Sequence, residues 1–258
     1  MDALHHRTID FERRVRAALA TTACPLPFGR VVISDDFTAI YDQNLIEIDS
    51  AAPPHEVRDT IERVASDLAW QHRNVEITSP AIADQVRATL LAAGYREQCN
   101  ITMALDARHC PTPAPVTAPA AVVDVGAQLP LARALLAEQP SITGDVVLDQ
   151  FEQRERRLAD VAGARAVVAP PDAPVSRCLV LTDGAIADID AVGTLSAHRA
   201  QGWSTAVMWR AMELARADGL DTVLVADDDD WPRSWYERLG FREIGRSAQF
   251  QRWTQDAA

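Results

Sequence analysis

The sequence predicts an α/β fold with a mixed central sheet flanked by helices, built as two successive halves, and three observations support this. Short apolar runs of strand length alternate with amphipathic helical stretches. A proline-rich segment divides the 258 residues near the middle. The order helix, strand, helix occurs in both halves, and each copy ends on a similar string, Gly94-Tyr95-Arg96-Glu97 in the first and Gly240-Phe241-Arg242-Glu243 in the second.

The elements follow in order. In the first half, Val57, Ile61, Val64 and Leu68 mark one face of a helix, residues 74–77 a strand and 81–92 a second helix. Residues 108–119 carry four prolines and read as an extended, semi-rigid linker, giving an N-terminal domain at 1–107 and a C-terminal domain at 120–258. Beyond it come a strand at 121–125, a helix opening at Pro130, and a helix with Leu148, Phe151 and Leu158 on one face. Strands at 164–169 and 175–182 precede the hairpin signal Asp183-Gly184, which turns into a strand at 185–192. A helix over Trp203–Ala217 buries Val207, Ala211, Leu214 and Ala215 on one face and stops at Gly219; a strand at 222–226 and a second short helix complete the pattern.

Composition narrows the function classes. With 25 arginines, no lysine and 37 acidic residues, the formal charge is −12, which disfavours a nucleic-acid binder and reads either as electrostatic preference for a cationic ligand or as an acidic surface that serves solubility. No apolar run approaches a membrane span and no basic-then-apolar leader opens the sequence, so a soluble, cytoplasmic protein is expected. Cys24, Cys99, Cys110 and Cys178 lie far apart and indicate neither a metal site nor a disulfide framework.

The chemistry-bearing segment is His198-Arg199-Ala200-Gln201-Gly202-Trp203-Ser204-Thr205, between a strand and a helix start. A helix N-terminus offers unpaired N–H groups and positive potential, and Gly202 lets a phosphate approach the backbone closely. This run resembles the R/Q-x-x-G-x-G/A loop of the GNAT superfamily of N-acyltransferases, with Ser204 in the last small position. Tyr236-Glu237-Arg238-Leu239-Gly240-Phe241 is similar to the family's Y-x-x-L-G-F element. The resemblance covers roughly residues 117–255 and implies a GNAT fold that binds acetyl-CoA, with Val192, Gly193 and Thr194 along the pantetheine and Arg199, Ala200, Gln201, Gly202, Trp203, Ser204 and Thr205 around the pyrophosphate. The first half resembles the degenerate copy of a tandem GNAT protein. Its own loop reads Ser50-Ala51-Ala52-Pro53-Pro54-His55, without glycine and with two prolines that lack N–H groups, so no acyl-CoA is expected there.

The same resemblance assigns chemistry. An alkylamine of reference pKa ~10.4 costs roughly 4–5 kcal/mol to deprotonate at pH 7, so a base is useful. Asp188 and Asp190, two apart on one strand face, are candidates, against the reading that both are simply solvated. The family implies that Tyr236 protonates the leaving thiolate and that the Val192 N–H polarises the acyl carbonyl. Asp229 stands where the family commonly has asparagine; Asp227 to Asp230 read either as an anionic wall for a cationic substrate or as helix capping. Trp231 and Trp235 read as an aromatic pocket wall or as packing. Cys178 reads as a buried thiol. The function implied is acetyl-CoA-dependent N-acetylation of a small amine by direct transfer. A competing reading is a non-catalytic protein that keeps the fold and binds acyl-CoA or another ligand.

Overall fold

The computed structural model describes residues 3–105, 118–229 and 231–254; residues 108–117 of the proline-rich linker, Cys110 among them, and Asp230 lie outside the described residues. The first half runs α1 (Ala3–Leu19), β1 (Thr22–Leu26), β2 (Gly29–Ile33), β3 (Leu45–Ile48), α2 (Pro54–Asp67), β4 (His72–Ile77), α3 (Pro80–Ala92) and β5 (Arg96–Leu105). The second runs β6 (Ala121–Val123), α4 (Val125–Ala137), α5 (Asp145–Val161), β7 (Arg165–Ala169), β8 (Ser176–Thr182), β9 (Ile186–Thr194), α6 (Trp203–Ala217), β10 (Asp221–Asp227), α7 (Pro232–Arg238) and β11 (Phe241–Trp253).

The eleven strands among the described residues form one sheet in the order β1-β2-β3-β4-β11-β5-β10-β9-β8-β7-β6. It is mixed, because β3 with β4 and β9 with β10 are parallel while the other neighbours are antiparallel. The two halves exchange their last strands. β5 of the first half lies between β10 and β11, and β11 of the second lies between β4 and β5. The cores follow this exchange: Ile101 and Met103 from β5 are buried with Val207, Ala211 and Leu224, while Ala248 and Phe250 from β11 are buried with Val57, Ile61 and Leu90.

Helix α4 begins at Val125, not at Pro130. Val125, Leu129 and Ala132 recur at i, i+4 and i+7 and are buried, and this face carries the helix through Pro130 despite the N–H that proline lacks. A buried Arg177–Glu155 pair, with Gln128 bonded to both, fastens α4 and α5 to β8.

Helix α1 joins the halves. Arg16 bridges to Glu47, and to Glu76 at 2.6 Å, on the first half's β3 and β4, while Phe11 and Leu19 are buried with Leu179, Leu181 and Val223 of the second. Its His5 packs where β11 bulges between Glu243 and Gly245; a Cβ at Gly245 would collide with the imidazole, so glycine sets how closely α1 seats on the sheet. No helix among the described residues is long and apolar enough to cross a membrane.

Candidate active site

Strands β9 and β10 pair only from Asp221↔Ile186 to Val223↔Asp188 and then part, while β10 stays on β5 as far as Asp227↔Asn100. Three residues further on, where the register of β9 against β8 shifts, stands Ala191, a non-glycine residue at φ 53, whose N–H donates to the Asp190 carboxylate at 2.6 Å. A gap therefore opens between residues 189–194 of β9 and 224–227 of β10.

On the α6 face of this gap lies a cleft of about 470 Å³. Of the predicted cofactor residues, Val192, Gly193, Thr194, Arg199, Ala200, Gly202, Trp203, Ser204 and Thr205 line it. Gln201 does not; it is exposed in the same loop and accepts a hydrogen bond from Trp203 Nε1. Ala200 (φ 59) and Gly202 (φ 84) both turn left-handed, bending the loop around the start of α6, whose first N–H groups have no partner within the helix. A Cβ built on Gly202 meets nothing within 4 Å, so the position opens onto free space. Thr194 Oγ1, bonded to Ser204 Oγ at 2.6 Å and Ser176 Oγ at 2.8 Å, pins β9 to the helix start. Glu138 accepts from the Ser196 N–H and Oγ and fixes the loop's approach. The Arg199 side chain is 67% exposed and faces Glu138 only at 3.9 Å, leaving its charge available to an anion.

The same cleft receives Tyr236, Trp235 and Trp231 from α7 and the turn before it. Tyr236 is buried between Trp235 and Phe241, with ring centroids at 5.0 and 6.1 Å, and Trp231 at the outer end is 69% exposed. Both tryptophans thus stand on the side of the predicted cofactor residues. Cys178 is buried, and burial pushes its thiol up to about 12, which leaves no nucleophile there.

Asp188 and Asp190 point to the opposite face of the sheet, toward α1, and line a second cavity of about 180 Å³ with Glu12, Arg16, Gln43 and Arg154. Burial, with Glu12 and Asp190 nearby, holds the Asp188 carboxyl well above the ordinary range. Burial also pushes Glu12 up to about 8, reinforced by Glu76 and Asp190 and opposed by Arg16 and Arg13. Sequence reasoning missed Glu12, Arg154 and Gln43. The signal for Glu12 lay in Phe11, Val15 and Leu19, four apart, which mark a buried helical face with Glu12 and Arg16 beside it.

The acidic run divides. Asp228 accepts from Arg233 and, at 2.5 Å, from Arg246; the Asp227 carboxylate takes the Asp229 N–H at 3.0 Å. Asp227 and Asp229 lie in a shallow depression with Arg96 and Trp253, and none of these three aspartates lines either cavity at the gap.

Residues 149–241 match the family model described as the acetyltransferase (GNAT) family. No curated protein matches the chain. Among solved structures, a functionally unknown conserved protein from Staphylococcus epidermidis ATCC 12228 is similar at TM-score 0.72 and 14% identity, over 90% of this chain and 93% of that one. A GCN5-related N-acetyltransferase from Kribbella flavida is similar at TM-score 0.66 and 18% identity, over 97% and 96%. A tandem GNAT protein from the clavulanic acid biosynthesis pathway is similar at 0.58 and 15%, over 88% and 79%. Residues 149–241 therefore match the GNAT acetyltransferase family, and they are set in a fold that solved GNAT N-acetyltransferases share over most of the chain's length.

Proposed function

We propose that this protein transfers an acetyl group from acetyl-CoA directly to a small amine, both substrates being bound together. The observation that carries this reading is the pair of cavities on opposite faces of the sheet at the gap between β9 and β10, one with a phosphate cradle and the other with carboxylates. The open backbone at Gly202, the helix start and Arg199 fit a pyrophosphate, and Val192 to Thr194 fit the arm that follows it. Acetyl-CoA supplies the activated acyl carbon.

The residues of the chain divide the remaining work. Glu12, with Asp188 and Asp190, takes the proton that the amine releases as its nitrogen bonds to the acyl carbon. The Val192 N–H donates to the acyl oxygen as negative charge grows there. The Tyr236 hydroxyl donates its proton to the sulfur as the carbon–sulfur bond breaks, and solvent reprotonates the tyrosine. The inert Cys178 is consistent with transfer that forms no bond to the enzyme.

Calorimetric titration of acetyl-CoA is expected to give one site per chain, because α2 opens on Pro53 and Pro54 where the first half would need N–H groups. Gly202→Glu is expected to weaken binding about 10³-fold, since unit charges 4 Å apart at a protein surface interact by roughly 4 kcal/mol. Two sites, or an unaffected variant, would refute the assignment of the cradle. Tyr236→Phe is expected to lower kcat about 10²-fold with an amine acceptor and leave acetyl-CoA affinity unchanged. Equal turnover in that variant would remove the tyrosine from the reaction, and no turnover in the parent protein under saturating acetyl-CoA would favour a ligand-binding role.

A further inference from the structure

Resting on that reading, we propose that the acceptor is a small amino acid, or another amine that carries a carboxylate, with Arg154 binding the carboxylate while its amine faces Glu12, Asp188 and Asp190. The cavity of about 180 Å³ behind the gap has room for a molecule of that size.

The charges that line it are unequally satisfied. Arg16 is spent on Glu47 and Glu76, and the Asp42 carboxylate accepts from Asn74 and Gln249. Arg154, which reaches the cavity from α5, forms no ion pair among the described residues, and its Nε is buried with no hydrogen-bond acceptor. Gln43 is 3% exposed, lines the cavity and has an Oε1 with no donor. A buried guanidinium Nε–H without an acceptor and a buried amide oxygen without a donor are both costly, and a ligand presenting each missing group relieves both.

A plain amine relieves only half of this arrangement. Its ammonium suits the carboxylates and Gln43 Oε1, but it brings a second positive charge beside an uncompensated Arg154. An amino acid brings the amine together with a planar anion that a guanidinium binds through two parallel hydrogen bonds. A phosphonate or phosphate in place of the carboxylate brings a second negative charge that one guanidinium does not neutralise, beside three carboxyl groups that would have to hold their protons to tolerate it, and so fits less well.

The test measures thiol release from acetyl-CoA with the twenty proteinogenic amino acids, their carboxamides, the corresponding decarboxylated amines and an aminoalkylphosphonate. For the best amino acid, kcat/KM is expected to exceed that of its carboxamide and of its decarboxylated amine by about 10²-fold. In Arg154→Met that ratio falls to near one, chiefly through KM, and Arg154→Lys recovers part of it. Acetyl-CoA affinity measured on each variant reports that the fold is intact. Carboxamides or plain amines that react as well as amino acids, a ratio unmoved by Arg154→Met, or a preference for the phosphonate would each overturn the proposal. Acetyl-CoA binding with no amino acid acetylated would overturn it while the cofactor assignment stands; absence of acetyl-CoA binding takes down both.

Discussion

Exchanging Glu12 for glutamine is expected to lower kcat/KM by about 10²–10⁴ while making the folded protein more stable above pH 8. The two effects share one cause. Glu12 sits on α1 against Asp188 and Asp190, and burial, with Glu76 and Asp190 close by, pushes its carboxyl up to about 8. A base of that strength holds an amine's proton far better than an ordinary carboxylate, and glutamine cannot hold it at all. In the parent protein kcat/KM should therefore climb with pH toward about 8 and level off beyond it. In Glu12→Gln that ascending limb should weaken, leaving what Asp188 and Asp190 supply.

The stability effect runs with the opposite sign to activity. Glu12 has a higher pKa folded than unfolded, so between the ordinary carboxylate range and about pH 8 the native state holds more protons, and stability falls as pH rises. Below that range there is no penalty to remove; above pH 8 it is complete. Every tenfold rise in the proton affinity of the folded state corresponds to ~1.4 kcal/mol at most. Because Glu12 keeps partial solvent contact, a gain of about 1–2 kcal/mol is the reasonable expectation. At roughly 2–4 °C per kcal/mol, thermal melts at pH 5 and pH 8.5 resolve it. Equal melting shifts at the two pH values would mean that Glu12 is not strained by its ionisation. Undiminished turnover would leave the base to Asp188 and Asp190.

What was legible in the sequence was local in the chain. The cradle depends on contiguous residues, a glycine at a helix start after a strand, and the structure gathers nearly the whole predicted set in one cleft. The spacing of Asp188 and Asp190 fixed that they share a face, because side chains alternate along a strand. Which face was decided by packing, since Ala187 and Ile189 go to the α6 side and leave the aspartates facing α1. Glu12, Gln43 and Arg154 come from three elements spread over more than a hundred residues, and nothing local marks their meeting. The acidic run looked like a site because of its charge, but Asp228 is committed to two arginines that lie beyond it in the chain. Strand order was the least legible feature. The repeat around Gly94 and Gly240 marked the strands that follow as equivalent, but a neighbour in a sheet is chosen by tertiary contact, not by local pattern.

That exchange leads to the second large effect. Residues 1–107 and 120–258, produced separately, are each expected to fail to fold cooperatively, and to recover native structure and acetyl-CoA binding when produced together. Without β5, the second half loses the strand that holds β10 through Val223↔Ala104 to Asp227↔Asn100, and with it Ile101 and Met103 from the core beneath α6. Its own β11 is then left with no partner, because its neighbours β4 and β5 both belong to the first half. The first half loses Ala248 and Phe250 from its core and is left with β5 unpaired and the inner edge of β4 open, a surface that invites aggregation. Helix α1 adds to the dependence, because the residues that bury Phe11 and Leu19 are largely those of the second half. The buried side chains lost in either direction are each worth about 1.5–3 kcal/mol, so removing a few of them with their strand approaches the whole stability of a typical domain. Size-exclusion and thermal melts of the separate and the co-produced fragments decide the matter. A monomeric, cooperatively melting 120–258 fragment that binds acetyl-CoA unaided would show that the second half can close its own sheet, and that β5 occupies a place β11 or solvent can fill.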